Sequence, residues 1–394
     1  MEVFEGPLVI VLITTGLYRA SQNAAQTTLS LIAHDVLHIG PSLIGVAATV
    51  FGLTGAVTSL FVAGRLQSHQ LKGAVLASLF LGGLALVMYY FASSIGIFMA
   101  ASLVLGVSGG LAMPTLATLA TTSERISPER GVAAYTAALS ASLAVGPLYE
   151  TFMLKSSHEN VRLSLLAFTP FTILGIVLIV VGVKATHDAR SGRKLEVGSL
   201  RLRHSKPIRL AISAQLLYQA PFVAVVAFGA LIARYSFGAS SATAQLGFTI
   251  FFILSFISRL VLLWKPNILS PTLLLKVSAL LTVIGVIVLA LMHGVVFLVL
   301  AMALLGVPHG VTYPVSLALI AKWTSSNTRT RANATLASVT GFVGVLLPFI
   351  LGLLAASYGY RLMVLLILLP VLTLSIPVFR ASEARLATQA TPTM

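Results

Sequence analysis

Cysteine is absent from this 394-residue chain, and acidic residues are scarce, with 10 Asp and Glu against 25 Lys and Arg. Without cysteine the chain forms neither a disulfide nor a thiolate metal site. Charged residues make up only 9% of the sequence, whereas a soluble domain carries about 25%. Hydrophobic residues make up 57%, so the composition excludes a soluble enzyme core and indicates an integral membrane protein.

The basic excess has a different meaning in a membrane protein than in a soluble one. A net charge of +15 would favour nucleic acid as the partner of a soluble chain. In a membrane protein this charge is expected in loops that face anionic lipid on the cytoplasmic side. We therefore expect membrane lipid, and no nucleic acid, among the partners. The start, Met1-Glu2-Val3-Phe4-Glu5, lacks the basic region of a cleaved signal peptide, so the first apolar run is expected to remain as a helix.

Twelve apolar runs bounded by glycine, proline or charge are each long enough to cross a bilayer as a helix. They fall near 7–31, 43–64, 73–93, 95–119, 131–153, 160–183, 208–233, 243–264, 271–291, 294–320, 332–356 and 360–379. We therefore predict an all-α polytopic membrane protein. It has a six-helix bundle at 1–183, a basic cytoplasmic linker at 184–206 and a second six-helix bundle at 207–394.

The basic residues also predict the orientation of the spans. With twelve spans both termini share one side, and an inside N terminus puts 20 of the 25 Lys and Arg in or beside cytoplasmic segments. The positive-inside rule therefore predicts cytoplasmic N and C termini in the cell membrane, plasma or inner. By the same pattern Arg259, near the end of the eighth run, is expected to extend to the membrane interface.

An internal repeat supports the division into halves. At an offset of 200 residues Leu105-Gly106-Val107 falls on Leu305-Gly306-Val307, and Gly110 falls on Gly310. Matches of leucine are common by chance in an apolar sequence, but matches of glycine in one register are not. Parallel repeats of this kind are one way to build a transporter with a central site.

Three short segments carry a resemblance to a known family. Ser127-Pro128-Glu129-Arg130-Gly131 follows the fourth run, 64–72 follows the second, and Gly146-Pro147 lies in the fifth. In these segments and in its twelve spans the chain resembles the major facilitator superfamily of secondary transporters. The resemblance implies two pseudo-symmetric bundles, alternating access, and a cavity lined by the first and fourth helix of each half. The gating positions that it marks are Gly64, Arg65, Ser68, Lys72, Glu129, Arg130, Gly146 and Pro147, with Ser68 in place of the usual Asp.

The first run carries the candidate anion-binding residue. Arg19 lies about 18 Å into the helix, near the middle of a hydrocarbon core about 30 Å thick. Gln22, Asn23 and Gln26 continue its face as a polar stripe. A charge at this depth costs about 3 kcal/mol, so it is a functional candidate by default. We predict that the stripe faces the substrate. The alternative is a structural Arg19 bonded to Glu150 or to backbone carbonyls.

The second half is not symmetric with the first. The repeat places Gln219 opposite Arg19, on a face with Gln215 and Tyr218. A single guanidinium, always protonated and able to form paired hydrogen bonds, suits a carboxylate or another monoanion. The resembled family members that carry phosphate esters typically bring a second Arg at this place, so we favour a small organic anion such as a monocarboxylate.

Two residues are candidates for proton coupling. His309 in the tenth run replaces its repeat partner Gly109 and begins a face with Tyr313 and Ser316. Imidazole changes its protonation near neutral pH, although His309 is alternatively a neutral histidine hydrogen-bonded across the bundle. Glu150 in the fifth run is the one carboxylate that this pattern places within a helix.

The sequence thus predicts a proton-coupled secondary active transporter and not an enzyme. It contains no motif for a metal or a bound cofactor, and the expected partners are a small-molecule substrate, protons and lipid, with the chain acting as a monomer. The alternative function is efflux of hydrophobic drugs or metabolites, which Gly146-Pro147 favours and the following Tyr149-Glu150 disfavours. A non-transporting membrane sensor or scaffold is the alternative from another class.

Overall fold

The computed structural model describes residues 6–121, 128–183, 206–265, 268–323 and 326–382. Over these residues the chain is almost entirely helical. The α-helices are α1 Gly6–Leu31, α2 Pro41–Phe61, α3 Leu71–Phe91, α4 Ile95–Thr121, α5 Pro128–Ser156, α6 Val161–Leu166, α7 Thr169–Gly182, α8 Lys206–Phe237, α9 Ser241–Trp264, α10 Pro271–Leu291, α11 Val295–Trp323 and α12 Ser326–Arg380. A π-helical turn, Ile32–Val36, follows α1, and two 3-10 turns, Ala63–Arg65 and Ser68–Gln70, join α2 to α3.

Ten helical stretches of the described chain are long and apolar enough to cross a membrane. α6 and α7 together form one of them, Val161–Gly182, and the last, Ala332–Arg380, holds two predicted spans. α1 is not among the ten, because its polar stripe lowers its hydropathy, but its 26 residues extend about 39 Å. The prediction of an all-α polytopic membrane protein is confirmed, and the helices are consistent with twelve spans.

Proline and glycine set the local breaks in this pattern. The sixth predicted run divides into α6 and α7 because Pro170 occupies the first turn of α7, where its fixed φ and missing N–H are tolerated. The last two runs are joined as α12, which leaves helical geometry only at Gly359, with a φ of 76°. A glycine adopts this left-handed conformation without the steric cost of a Cβ.

The chain forms two compact units. Unit 1 comprises Met1–Arg193 and Ala239–Thr249, and unit 2 comprises Lys194–Gly238 and Ile250–Met394. The first residues of α9 therefore belong to unit 1, although the sequence assigns the whole of that helix to the second bundle. The bundle boundaries at 183 and 207 stay a prediction, since residues 184–205 of the linker lie outside the described residues.

Each unit contains the same close helix crossing. In unit 1 α4 passes α2 where a Cβ on Gly110 would overlap the carbonyl oxygen of Gly55. In unit 2 α11 passes α9 where a Cβ on Gly310 would overlap the carbonyl oxygen of Ser255. Both pairs differ by 200 in residue number, so the sequence repeat corresponds to a repeated packing contact. Only glycine lets the two backbones of each pair approach this closely.

Candidate functional site

Arg19 is held in place by a neighbour on its own helix. Its Nη1 donates a hydrogen bond of 2.5 Å to Oε1 of Gln22, one turn further along α1. Gln22 is buried, with 4% of its surface exposed, whereas Arg19 is half-buried. The amide of Gln22 packs directly on Gly109 of α4, where any Cβ would overlap its Nε2. Gly109 therefore creates the space in which Gln22 orients the guanidinium.

The same face of α1 is anchored to α4 by a hydroxyl chain. Tyr18 Oη lies 2.7 Å from Ser108 Oγ, and Ser108 Oγ donates to the carbonyl of Ser78 in α3 at 2.7 Å. All three residues are buried. Each hydroxyl in this series of hydrogen bonds has a partner. The series therefore fixes the rotation of α1 against α4 next to Arg19.

Asn23 does not join Arg19 and Gln22. Its Nδ2 donates to the carbonyl of Leu143 in α5 at 3.1 Å, and the residue is buried. Gln26, one turn later, is half-buried. The predicted polar stripe therefore divides, with Gln22 packed on Gly109 of α4 and Asn23 bonded to α5.

Gly146 marks the closest approach of α1 and α5. A Cβ at this position would lie 2.7 Å from the carbonyl oxygen of Ala20. Leu143 lies three residues before Gly146, and the close approach brings its carbonyl within hydrogen-bonding distance of Asn23. The structure therefore gives the predicted Gly146-Pro147 motif a packing role in unit 1.

We expect Gly146→Ala to lower the thermal stability of the purified protein, by about 1–3 kcal/mol, since the added methyl overpacks a backbone contact. Gly341→Ala in α12 is the matched control, because a Cβ there meets nothing within 4 Å. Its melting temperature should stay the same or rise, as alanine favours a helix. Equal melting temperatures for the two variants would contradict a close α1–α5 contact at Gly146.

Glu150 is fully buried in unit 1 and bonded to α1. Its Oε1 accepts a hydrogen bond from Thr28 Oγ1, and Thr28 Oγ1 in turn accepts one of 2.8 Å from Gln245 Nε2 at the start of α9. Gln245 is also fully buried, and its Oε1 accepts from Thr27 Oγ1 at 3.2 Å. The predicted alternative partner, Arg19, lies nine residues before Thr28, about 13.5 Å along the helix.

His309 lies within a cluster of aromatic rings in unit 2. Its Nδ1 is 2.7 Å from Ser255 Oγ, and its ring stacks on Phe222 of α8 with centroids 4.7 Å apart. Phe251 and Phe252 of α9 also contact the imidazole. At the offset of 200, Phe222 over His309 corresponds to Gln22 over Gly109. The contact between the first and fourth helices of each repeat is thus made by an amide in unit 1 and by aromatic rings in unit 2.

Gln215 and Tyr218 face the same region of unit 2. Both are buried, with 8% and 3% of their surface exposed. Within the described part of the chain, Gln215 Oε1 and Tyr218 Oη have no hydrogen-bond partner. Such groups are normally satisfied in folded proteins, so these two atoms are notable among the buried polar groups of α8.

The other predicted residues of the second half are directed elsewhere. Gln219 packs on α12, where its Nε2 would lie 2.8 Å from a Cβ on Gly344. Ser316 is fully buried with its Oγ 3.5 Å from the Ala211 carbonyl of α8. Tyr313 is 43% exposed. The sequence pattern placed these side chains on one site, but of the residues named for it only Tyr218 and His309 are in ring contact, with centroids 6.0 Å apart.

Arg259 is the residue whose surroundings the sequence did not predict. Its Nη2 lies 3.4 Å from the carbonyl oxygen of His309, and the ring of Tyr218 lies beside the His309 imidazole with centroids 6.0 Å apart. The residue is half-buried and its guanidinium reaches the backbone of α11, a contact that the sequence did not predict. The sequence did contain a signal for this position. Arg259 follows Ser255 by four residues, so both lie on the same face of α9.

Apart from Gly146 and Pro147, which lie inside α5, the predicted gating positions are at helix ends and turns. Lys72 Nζ donates 3.0 Å to the Val180 carbonyl in the last turn of α7, and the Arg65 guanidinium lies 5.9 Å from the Phe61 ring centroid. Gly64 and Ser68 are in the 3-10 turns of the α2–α3 connection, and Arg130 is exposed in the first turn of α5. The side chain of Glu129, and residue 127 of the same motif, lie outside the described residues.

Comparisons with known proteins bear on this architecture. A family model described as Major Facilitator Superfamily matches residues 11–233 and 210–392. The solved structure of the nucleoside transporter NupG has a TM-score of 0.73 at 16% identity and covers 95% of this chain and 99% of its own. No curated protein matches the chain in sequence.

Two further solved structures are equally similar in fold. A bacterial homologue of the human lysosomal transporter Spinster, in an inward-facing and occupied conformation, has a TM-score of 0.73 at 11% identity, covering 98% of both chains. A POT family transporter in complex with a thioalcohol-conjugated peptide has a TM-score of 0.72 at 11% identity, covering 98% of this chain and 96% of its own. At such identities the likeness concerns the fold alone.

Proposed function

The chain belongs to the major facilitator superfamily, whose members are membrane transporters, and on this premise we propose that it moves a small organic anion by secondary active transport. A monocarboxylate is the simplest case of such an anion. Arg19 binds the carboxylate, and Gln22 orients the guanidinium. The transporter role and the multi-pass membrane location follow from the family and the apolar helices.

One observation carries the anion assignment: a half-buried guanidinium within a membrane-spanning helix, oriented by a 2.5 Å hydrogen bond. An arginine stays protonated in such a place and offers five donors in a planar fork. A carboxylate matches this fork with two parallel hydrogen bonds. An organic cation would instead meet a like charge at Arg19.

Proton coupling is assigned to Glu150, with His309 as the second candidate. An ionised Glu150 accepts hydrogen bonds only, whereas the protonated acid also donates one. Protonation would therefore reverse the direction of donation in the hydrogen bonds that run from Gln245 through the Thr28 hydroxyl to Glu150. The start of α9 is bound to α1 by this chain, so a proton at Glu150 changes the contact between the two helices.

The remaining parts of the proposal extend the sequence predictions. Gln26, Asn23, Gln219, Tyr313 and Ser316 are secondary to Arg19 and Gln22, because the structure gives several of them other contacts. The protein works by alternating access, as a monomer, in the plasma or inner membrane, with both termini in the cytoplasm. Protons and lipid are its partners besides the substrate, and nucleic acid is not one.

Efflux of hydrophobic drugs is the second candidate function. The observation that favours it is the aromatic cluster of Phe222, Phe251, Phe252 and His309. Aromatic faces suit flat apolar ligands. This function would require little from Arg19, which separates it from the anion proposal.

Thermal stabilisation of the purified protein by a ligand panel tests the proposal. A ligand that binds only the folded protein raises its melting temperature by mass action. We expect short-chain carboxylates to raise the melting temperature, and neutral sugars to leave it unchanged. If only lipophilic drugs raise it, the anion proposal is contradicted and drug efflux takes its place.

A further inference from the structure

A fully buried carboxylate in unit 1 uses only one of its two oxygens. None of the surface of Glu150 is exposed. Its Oε1 accepts from the Thr28 hydroxyl, whereas Oε2 has no hydrogen-bond partner among the described residues. Over the same part of the chain, no basic side chain forms an ion pair with Glu150. An ionised carboxylate in such surroundings is costly unless an opposite charge compensates it.

The side chains bonded to Glu150 hold more acceptors than donated protons. Thr27, Thr28 and Gln245 are also fully buried, and we call these three residues and Glu150 the oxygen cluster. All four belong to unit 1. Thr27 Oγ1 lies 3.2 Å from Gln245 Oε1 and equally far from two backbone carbonyl oxygens of α1. Because a hydroxyl carries one proton, it serves only one of these three oxygens. The cluster therefore has spare lone pairs and no positive charge.

The cluster lies near the ends of three helices. Thr28 is in the last turn of α1, Glu150 is in the last two turns of α5, and Gln245 is in the second turn of α9. The C-terminal end of a helix carries a partial negative charge, and such ends coordinate Na⁺ in membrane transporters. α1 also continues here into the π-helical turn Ile32–Val36, a form found mostly at functional sites. The end of α1 thus adds to the attraction for a cation.

The other charged and titratable groups of the surrounding elements are bonded elsewhere or exposed. α4 and residues 241–249 of α9 contain none. Lys155 and His158 are exposed. The others are Arg19 with Gln22, His34 with Asp35, Tyr149 with the Ala167 carbonyl, Glu159 with the Ala242 N–H, and Arg162 with the Ala92 carbonyl. The charge that compensates Glu150 therefore comes from a proton or from a cation in solution.

We propose that the ionised form of Glu150 binds Na⁺ at the oxygen cluster. Glu150 supplies the charge and its unused Oε2, and the Gln245 amide oxygen and the Thr27 hydroxyl are the neutral oxygens of the site. Hard cations prefer such oxygens. One carboxylate balances one positive charge, and oxygens 3.2 Å apart suit a small ion better than the larger K⁺. The site goes beyond the proposed function, in which Glu150 takes a proton, because the same carboxylate holds either a proton or Na⁺.

Melting temperatures of the purified protein, without substrate, test the site. We compare NaCl, KCl and choline chloride at equal ionic strength and at a pH where carboxyl groups are ionised. Na⁺ should raise the melting temperature by about 2–4 °C over choline, and K⁺ should raise it much less. Equilibrium binding of radioactive Na⁺ should saturate at one ion per chain. Glu150→Gln, which keeps the shape without the charge, should abolish both effects.

Conservative variants separate binding from folding. Glu150→Asp keeps the charge and should still bind Na⁺, but more weakly. Thr27→Val removes one neutral oxygen and should weaken Na⁺ binding about 3- to 10-fold. Glu159→Gln is the matched control and should keep the whole Na⁺ response, since Glu159 bonds a backbone N–H outside the cluster.

Two results would overturn the Na⁺ site: equal melting temperatures of the wild type in sodium and choline, or a Glu150→Gln protein that still responds to Na⁺. Either result leaves the organic-anion proposal standing, because no substrate is present in these measurements. A protein that responds to Na⁺ but binds no carboxylate would contradict the proposed function and leave the Na⁺ site intact.

Discussion

Arg19→Gln should lower the affinity for a transported carboxylate by about 30-fold or more. Loss of one partner from a buried, hydrogen-bonded charge pair costs about 2–5 kcal/mol, and each 1.4 kcal/mol is about a tenfold change in affinity. Glutamine keeps two donors but neither the charge nor the planar fork. Isothermal titration of the purified variants measures the change. Transport by Arg19→Gln should fall with the affinity.

Two further variants show whether orientation matters as well as charge. Arg19→Lys keeps the charge without the fork and should recover only part of the affinity. Gly109→Ala leaves Arg19 intact, but its methyl overlaps the Gln22 amide and forces Gln22 away from the guanidinium. It should weaken binding less than Arg19→Gln does. A folded Arg19→Gln protein with wild-type affinity would show that Arg19 is structural.

Glu150→Gln should abolish accumulation driven by a pH gradient while exchange of substrate across the membrane continues. Glutamine has nearly the same shape and still accepts the hydrogen bond from Thr28, but it neither binds nor releases a proton. Counterflow, which needs no coupling ion, should therefore persist in proteoliposomes. Net uptake against the substrate gradient should be lost.

Glu159→Gln is the matched carboxylate control. Glu159 Oε2 accepts a hydrogen bond of 3.0 Å from the backbone N–H of Ala242, which the carbonyl of a glutamine also accepts. Its pH-driven accumulation should equal that of the wild type. If Glu150→Gln still accumulates substrate, Glu150 is not the coupling group, and His309 is the next position to substitute.

The architecture could be predicted because it depends on composition and periodicity. Hydrocarbon requires every backbone group to be bonded within a helix, so long apolar runs translate directly into spans. The repeat could be recognised in the sequence because a close backbone approach requires glycine at both Gly110 and Gly310. The break before Thr169 was not predicted, since it depends on local turn geometry, whereas the kink at Gly359 in α12 falls between the last two predicted runs.

The site was only partly predictable, because a helical face does not reveal which neighbour it meets. The shared face of Arg19 and Gln22 could be predicted from their spacing, and the hydrogen bond between them agrees with it. Asn23 shares the stripe, yet a carbonyl of α5 takes its amide. Gln219 was placed by symmetry with Arg19, but the gap at Gly344 receives its side chain. Arg259 was assigned to the interface since the sequence gives a residue's depth and not the direction of a long, flexible side chain.

The most direct test of a proton-coupled organic-anion carrier is uptake of a labelled carboxylate into proteoliposomes under imposed pH gradients of both orientations. We predict that the wild-type protein concentrates the carboxylate under one orientation only, and that Arg19→Gln shows no uptake under either. A wild-type protein that never moves the carboxylate beyond equal concentrations, while it transports a lipophilic drug unaffected by Arg19→Gln, would contradict the account.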